Sequence, residues 1–97
     1  MKTLEELKQI LSQNKPLLRE HYRVTQLGIF GSYARGEQTA DSDIDVLIDY
    51  EQAPTLFMLV ELRDYLSNLT GMRVDVVSKN GLKPRIRKRV LSEVVHL

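Results

Sequence analysis

The sequence predicts an α/β (α+β) fold, a small mixed β-sheet of three or more strands with helices packed mainly on one face, in a single domain over residues 1–97. Three observations point there. Short apolar runs rich in β-branched residues alternate with longer stretches whose apolar residues recur at helical spacing. Glycines and an Asn-Gly pair stand at the joins between these stretches. Ninety-seven residues suit one modest core and leave no room for a second, substrate-binding domain.

The elements follow in order. Thr3 and Glu6 have the spacing of a helix-capping box, and Leu4, Leu7, Ile10 and Leu11 recur at helical intervals behind them. Pro16 breaks or restarts that helix, which resumes through Leu17, Leu18 and His21. Val24 to Phe30 reads as the first strand, and Ser32 to Arg35 as a turn of helix between Gly31 and Gly36. Ile44 to Tyr50 is the second strand. Pro54 and Thr55 announce a helix carrying Leu56, Leu59, Val60, Leu62, Arg63 and Leu66, closed by Gly71. Met72 to Val77 is the third strand, and Asn80-Gly81 turns the chain. Pro84 suits the first turn of a last helix whose apolar stripe is Ile86, Val90, Val94 and Leu97.

Composition narrows the function classes. With 42% hydrophobic and 28% charged residues the chain reads as globular rather than disordered. The absence of cysteine excludes disulfides and thiolate metal sites and suits a reducing compartment. The N-terminal residues lack the apolar run of a secretory signal, and no apolar stretch is long enough to span a membrane, so the expected location is cytoplasmic. Net charge is only +1, but it is unevenly spread. Eight of 13 acids fall between Glu37 and Asp64, and six of 14 bases between Lys79 and Arg89. An acidic middle beside a basic end suits a site for metal ions and polyphosphate, although charge alone favours an ordinary solvated helix face.

The segment with most chemistry is GIFGSYARGEQTADSDIDVLID, residues 28–49. Gly31 and Ser32 end a strand and open a helical turn, so backbone N–H groups there can face an anion. Gly31 lets a phosphate come close to the backbone, Ser32 adds a hydroxyl, and Arg35 could supply a fixed positive charge. Taken alone, Gly-Ser at a strand end is commonly just a turn. Asp43 and Asp45 are two apart and so share a strand face, while Ile44 and Val46 face the core. Two carboxylates this close repel unless a cation lies between them, and oxygen-only ligands favour magnesium over zinc. Asp75, between Val74 and Val76, supplies a third acid if the second and third strands are neighbours. Three such carboxylates can hold two divalent ions roughly 3.5–4 Å apart, the spacing of phosphoryl-transfer sites. Asp49 shares the face but stands further off and reads as a solvated acid. A loop end with surface acids is the competing account of Asp43 and Asp45.

Gly31-Ser32, ten residues, then Asp43-x-Asp45 resembles the signature of the nucleotidyltransferase superfamily related to DNA polymerase β. The fuller string GSYARGEQTADSDIDVLI resembles its minimal nucleotidyltransferase (MNT) branch, with similarity reaching the RVDVV strand that holds Asp75 and the KPRIRKRVLSEVVHL ending. The resemblance implies a nucleotidyltransferase fold and a magnesium-dependent enzyme using ATP. It also implies a partner: members of this branch are commonly made together with a HEPN-family RNA-cleaving toxin. They silence it by transferring AMP from ATP to one of its tyrosines. By motif position, Gly31 and Ser32 would bind the triphosphate, with Arg35 on phosphate or partner. Asp43, Asp45 and Asp75 would be the metal-binding and catalytic residues, Asp75 also assisting deprotonation of the acceptor.

The alternative from a different class is an antitoxin that neutralises its toxin by direct binding. The basic run Lys83, Arg85, Arg87, Lys88 and Arg89 would then dock on an acidic surface. Retention of three costly acids favours the enzyme. The same run has no interleaved aromatics, so a nucleic-acid groove is not expected. The more economical account of it is a solvated helix face with Ile86 and Val90 inward. Tyr33 could stack on a base, but packing beside the turn is the expected role. His21 and His96 have no partners at ligand spacing and are expected at the surface.

Overall fold

The computed structural model describes residues 2–97. The chain opens with helix α1 (Leu4–Gln13), and its capping box forms as the sequence suggests. Thr3 Oγ1 accepts the Glu6 N–H at 3.1 Å, while the Glu6 carboxylate accepts the Thr3 N–H at 3.3 Å. Helix α2 (Lys15–Tyr22) starts afresh around Pro16 and ends at Arg23, which takes the left-handed conformation at φ 60°. Leu7, Leu11 and Leu18 are the residues these two helices bury.

Strand β1 (Val24–Phe30) is followed by the single-turn helix α3 (Ser32–Arg35) and strand β2 (Ile44–Tyr50). Helix α4 (Leu56–Thr70) is capped by Thr55, whose Oγ1 accepts the Met58 N–H at 3.1 Å, and is closed by Gly71. Strand β3 (Val74–Ser78), a 3₁₀ turn (Lys79–Gly81), helix α5 (Pro84–Glu93) and strand β4 (Val95–His96) complete the chain.

The sheet has the order β3-β2-β1-β4. β1 runs antiparallel to β2 and β4, and β2 runs parallel to β3, so the sheet is mixed as expected. An irregularity between Val24 and Gln26 resets the alternation, so that Val24, Leu27 and Ile29 all join the main core. Ile44, Val46 and Ile48 of β2 point the same way, into a core closed by Leu7, Leu11, Leu18, Tyr33, Leu62 and Leu66. Four helices thus cover one face. α5 covers part of the other, where Val90 and Ile86 pack with Leu47, Leu82, Phe30 and Val77.

The end of the chain departs from the expected pattern. Val94 and Leu97 do not extend the α5 stripe, because the helix stops at Glu93 and Val94 is already extended at ψ 136°. Two adjacent valines lose side-chain freedom in a helix and suit a strand, and the outer edge of β1 offers a partner. Gly28 makes the approach possible, since a Cβ there would stand 2.6 Å from Cγ2 of Val94. His21 and His96 are exposed, as expected.

Candidate active site

β1 and β2 lie side by side so that Phe30 is the register partner of Asp45. At the end of β1 the chain turns at Gly31 with φ 76° and ψ −151°, a backbone region that essentially only glycine enters. Space imposes the same residue, because a Cβ on Gly31 would overlap the Asp45 carboxylate. The Gly-Ser turn and Asp45 are therefore in direct contact. Ser32, Tyr33 and Ala34 follow as the first residues of α3, where N–H groups have no partner within the helix. Tyr33 points the other way, 1% exposed in the main core, which makes it a packing residue.

β3 brings in the third carboxylate. Parallel pairing sets Asp45 opposite Asp75, on the sheet face away from Ile44 and Val46. Both acids line one cleft with Gly31, Arg35, Arg89 and Glu93, floored by Phe30, Val77, Leu82 and Ile86. Burial pushes the Asp45 carboxyl above the usual aspartate range. The negative charges of Asp75 and Asp43 add to that rise, and Arg35 works against it. Among the described residues no basic side chain forms an ion pair with Asp45 or Asp75.

Asp43 is placed differently. It stands one residue before β2, and its Oδ1 lies 2.9 Å from Nε of Arg73. Arg73 also donates to the Asp41 carbonyl at 3.0 Å, while its own carbonyl accepts the Ile44 N–H. Among the described residues no three Asp, Glu, His or Cys side chains come together as a ready-made cation site. Asp45 and Asp75 are brought together, and Asp43 is held just outside by an arginine. The donor chemistry nevertheless suits a hard divalent cation, since the paired acids offer only oxygen and lack a compensating charge.

Two site residues were not anticipated from the sequence. Arg73 engages Asp43, and Glu93 enters the cleft from the last turn of α5. The Gly31 N–H, expected to be open to an anion, donates to Glu93 Oε2 at 2.8 Å. Arg35 is shared between Glu37 and Glu93, the latter at 2.9 Å. The basic run divides: Lys83, Arg85 and Lys88 are exposed, Arg87 donates to the Lys79 carbonyl at 2.8 Å, and Arg89 lines the cleft. Asp49 lies outside the cleft, its carboxylate accepting the Tyr50 N–H at 2.9 Å.

Comparison with known proteins identifies the family of the chain. Residues 4–97 match the family described as nucleotidyltransferase domain. The chain is 50% identical over 97 residues to the protein adenylyltransferase MntA of Thermococcus cleftensis, covering 100% of this chain and 98% of that protein. A solved structure described as a candidate minimal nucleotidyltransferase superposes with TM-score 0.84 at 40% identity, over 99% of this chain and 97% of that one. A structure of a tri-AMPylated HEPN toxin of Shewanella oneidensis in complex with MNT antitoxin matches with TM-score 0.63 at 18% identity. That match covers 96% of this chain and 66% of the other, and at such identity it speaks for the fold alone. Among the described residues no helix is long and apolar enough to cross a membrane.

Proposed function

This chain belongs to the nucleotidyltransferase domain family and is a nucleotidyltransferase, and we propose that it is an antitoxin acting as a magnesium-dependent protein adenylyltransferase. Its substrate is ATP, and its acceptor is a tyrosine of a HEPN-class RNA-cleaving partner, which the modification neutralises. The observation that carries this reading is the contact between the Gly31 turn and Asp45, which supports a phosphate-binding role for the turn and a catalytic one for the carboxylate beside it. The adenylyltransferase name of the relative at 50% identity over the whole chain supports the choice of AMP and of a protein acceptor.

Gly31 and Ser32 bind the triphosphate through backbone N–H groups and the Ser32 hydroxyl, and Arg35 adds charge at the phosphates. Asp43, Asp45 and Asp75 would hold two magnesium ions, once Asp43 gives up Arg73 for a divalent partner. Magnesium bound there would neutralise the triphosphate charge and lower the pKa of the acceptor hydroxyl. The acceptor oxygen then attacks the α-phosphorus, the bond to pyrophosphate breaks, and Asp75 accepts the tyrosine proton. Closeness of Asp45 to the turn aligns the nucleotide on the same side as Asp75, which favours in-line attack.

Neutralisation by contact alone is the second reading. Leu56 and Phe57, each 77% exposed at the start of α4, give it an apolar surface to work with. Transfer, however, gives a role that contact alone does not to carboxylates kept together with no basic ion-pair partner among the described residues. The two are separated by incubating the partner with ATP labelled at the α- or the γ-phosphate. Label from the α-position alone supports adenylylation. Silencing of the partner without label from either position would leave contact as the mechanism.

A further inference from the structure

Gly31 and Arg35 are assigned to the triphosphate, yet a carboxylate of the chain itself already engages both. Glu93 Oε2 accepts the Gly31 N–H at 2.8 Å and an Arg35 Nη1 hydrogen at 2.9 Å. Its other oxygen, Oε1, lies 3.8 Å from Nε of Arg89. The Glu93 side chain is only 13% exposed, so this is not one of the loose surface pairs that contribute little. A backbone N–H and a guanidinium on one oxygen, with a second guanidinium facing the other, are the kinds of donor a phosphate takes. Nor is the contact an accident of a mobile helix end. Glu93 closes α5, and two residues later Val95 is held against Ile29 of β1, which fixes the end of α5 beside the Gly31 turn.

We propose that Glu93 is an internal stand-in for phosphate, occupying the Gly31–Arg35 cradle when no nucleotide is bound and leaving it when the triphosphate enters. This role rests on Gly31 and Arg35 being nucleotide contacts, as proposed above. Competition by Glu93 weakens nucleotide binding and shields the cradle from other anions. Its departure frees Arg89 and leaves Arg35 held by Glu37 alone, so that the Nη1 side of the Arg35 guanidinium and the Arg89 guanidinium become available to the phosphates in the same step. A residue that merely positions Arg35 would have the opposite sign: it would have to stay in place, and its loss would weaken binding.

The test is calorimetric titration of a non-hydrolysable ATP analogue with magnesium into the wild type, Glu93→Gln and Glu93→Asp. Glu93→Gln keeps the shape and removes the charge, so affinity is expected to rise about fivefold to tenfold, the margin by which charged hydrogen bonds exceed neutral ones. Glu93→Asp keeps the charge but is one methylene shorter, and should fall between the other two. Thermal unfolding without nucleotide shows whether each variant is folded; if Glu93→Gln is not, Glu93→Asp alone decides, with a gain in affinity expected. Unchanged or weakened affinity in a folded variant would overturn the stand-in role while leaving the nucleotide site intact. No binding by the wild type or any variant would remove the nucleotide site itself, and the role of Glu93 with it.

Discussion

Replacing Asp45 by asparagine should make the protein more stable while making it inactive. Asp45 is half-buried, faces Asp75 across neighbouring strands and has no basic partner among the described residues, so its charge opposes folding. Adjacent strands lie about 4.8 Å apart, which sets two same-face carboxylates at roughly 5 Å. At an effective dielectric constant between about 20 and 80 their repulsion is roughly 0.8–3 kcal/mol, and for a pair open to the cleft about 1 kcal/mol is the appropriate figure. In a domain of this size that corresponds to a rise in Tm of about 4–8 °C. The pH dependence has a definite sign. Asp45 in the folded protein holds its proton to higher pH than in the unfolded chain. Stability therefore falls as pH rises from the unfolded value near 3.9 through the raised folded value, and stays lower above it. The assay is thermal unfolding by circular dichroism in a chelator, at pH 7 and near pH 3. The gain in Asp45→Asn should be present at pH 7 and absent near pH 3, where the wild-type carboxyl is already neutral. An equal or lower Tm at pH 7, or a gain that persists in acid, would refute the electrostatic account of this site.

Gly31→Ala should cost at least about 1–3 kcal/mol in urea denaturation from backbone strain alone, because φ is 76° and the new Cβ overlaps the Asp45 carboxylate. Wild-type stability would show that the turn relaxes easily. Ser32→Ala should raise the KM for ATP by only about threefold to tenfold, since the backbone donors remain; loss of folding instead would show that Ser32 is structural. Asp75→Asn should lower kcat by about 100-fold or more with ATP affinity changed little. Near-normal kcat would remove Asp75 from proton transfer.

The sequence made some of this site visible because the relevant physics is local. Capping residues, Pro16, Gly71 and the β-branched runs each act within a few residues of themselves, so the first four helices and the first two strands are found where the pattern sets them, while β3 (Val74–Ser78) begins two residues later than the pattern set it and α5 ends at Glu93. Asp45 and Asp75 could be joined on paper only on condition that β2 and β3 are neighbours, and the parallel register supplies that condition. Glu93 was out of reach, because it meets Gly31 across 62 positions of chain and at short range looks like a helix-end surface acid. Its one visible signal is that it is the lone acid of α5, after a run of bases and four residues beyond Arg89. Arg73 has no such mark; its tie to Asp43 depends on how β3 enters beside β2. β4 was read as helix because Val94 and Leu97 continue the spacing of Ile86 and Val90, and only the uncovered edge of β1 decides for a strand.

The central claim is transfer of AMP from ATP to a partner protein, and intact-mass spectrometry of a HEPN-class partner tests it most directly. The partner is incubated with this chain, ATP and magnesium, and in parallel with Asp43→Asn in place of the wild type. A mass increase of one or more AMP units on a tyrosine, absent with the variant, is the predicted result. A stable complex and a silenced partner with no increase in mass would contradict it and leave neutralisation to contact.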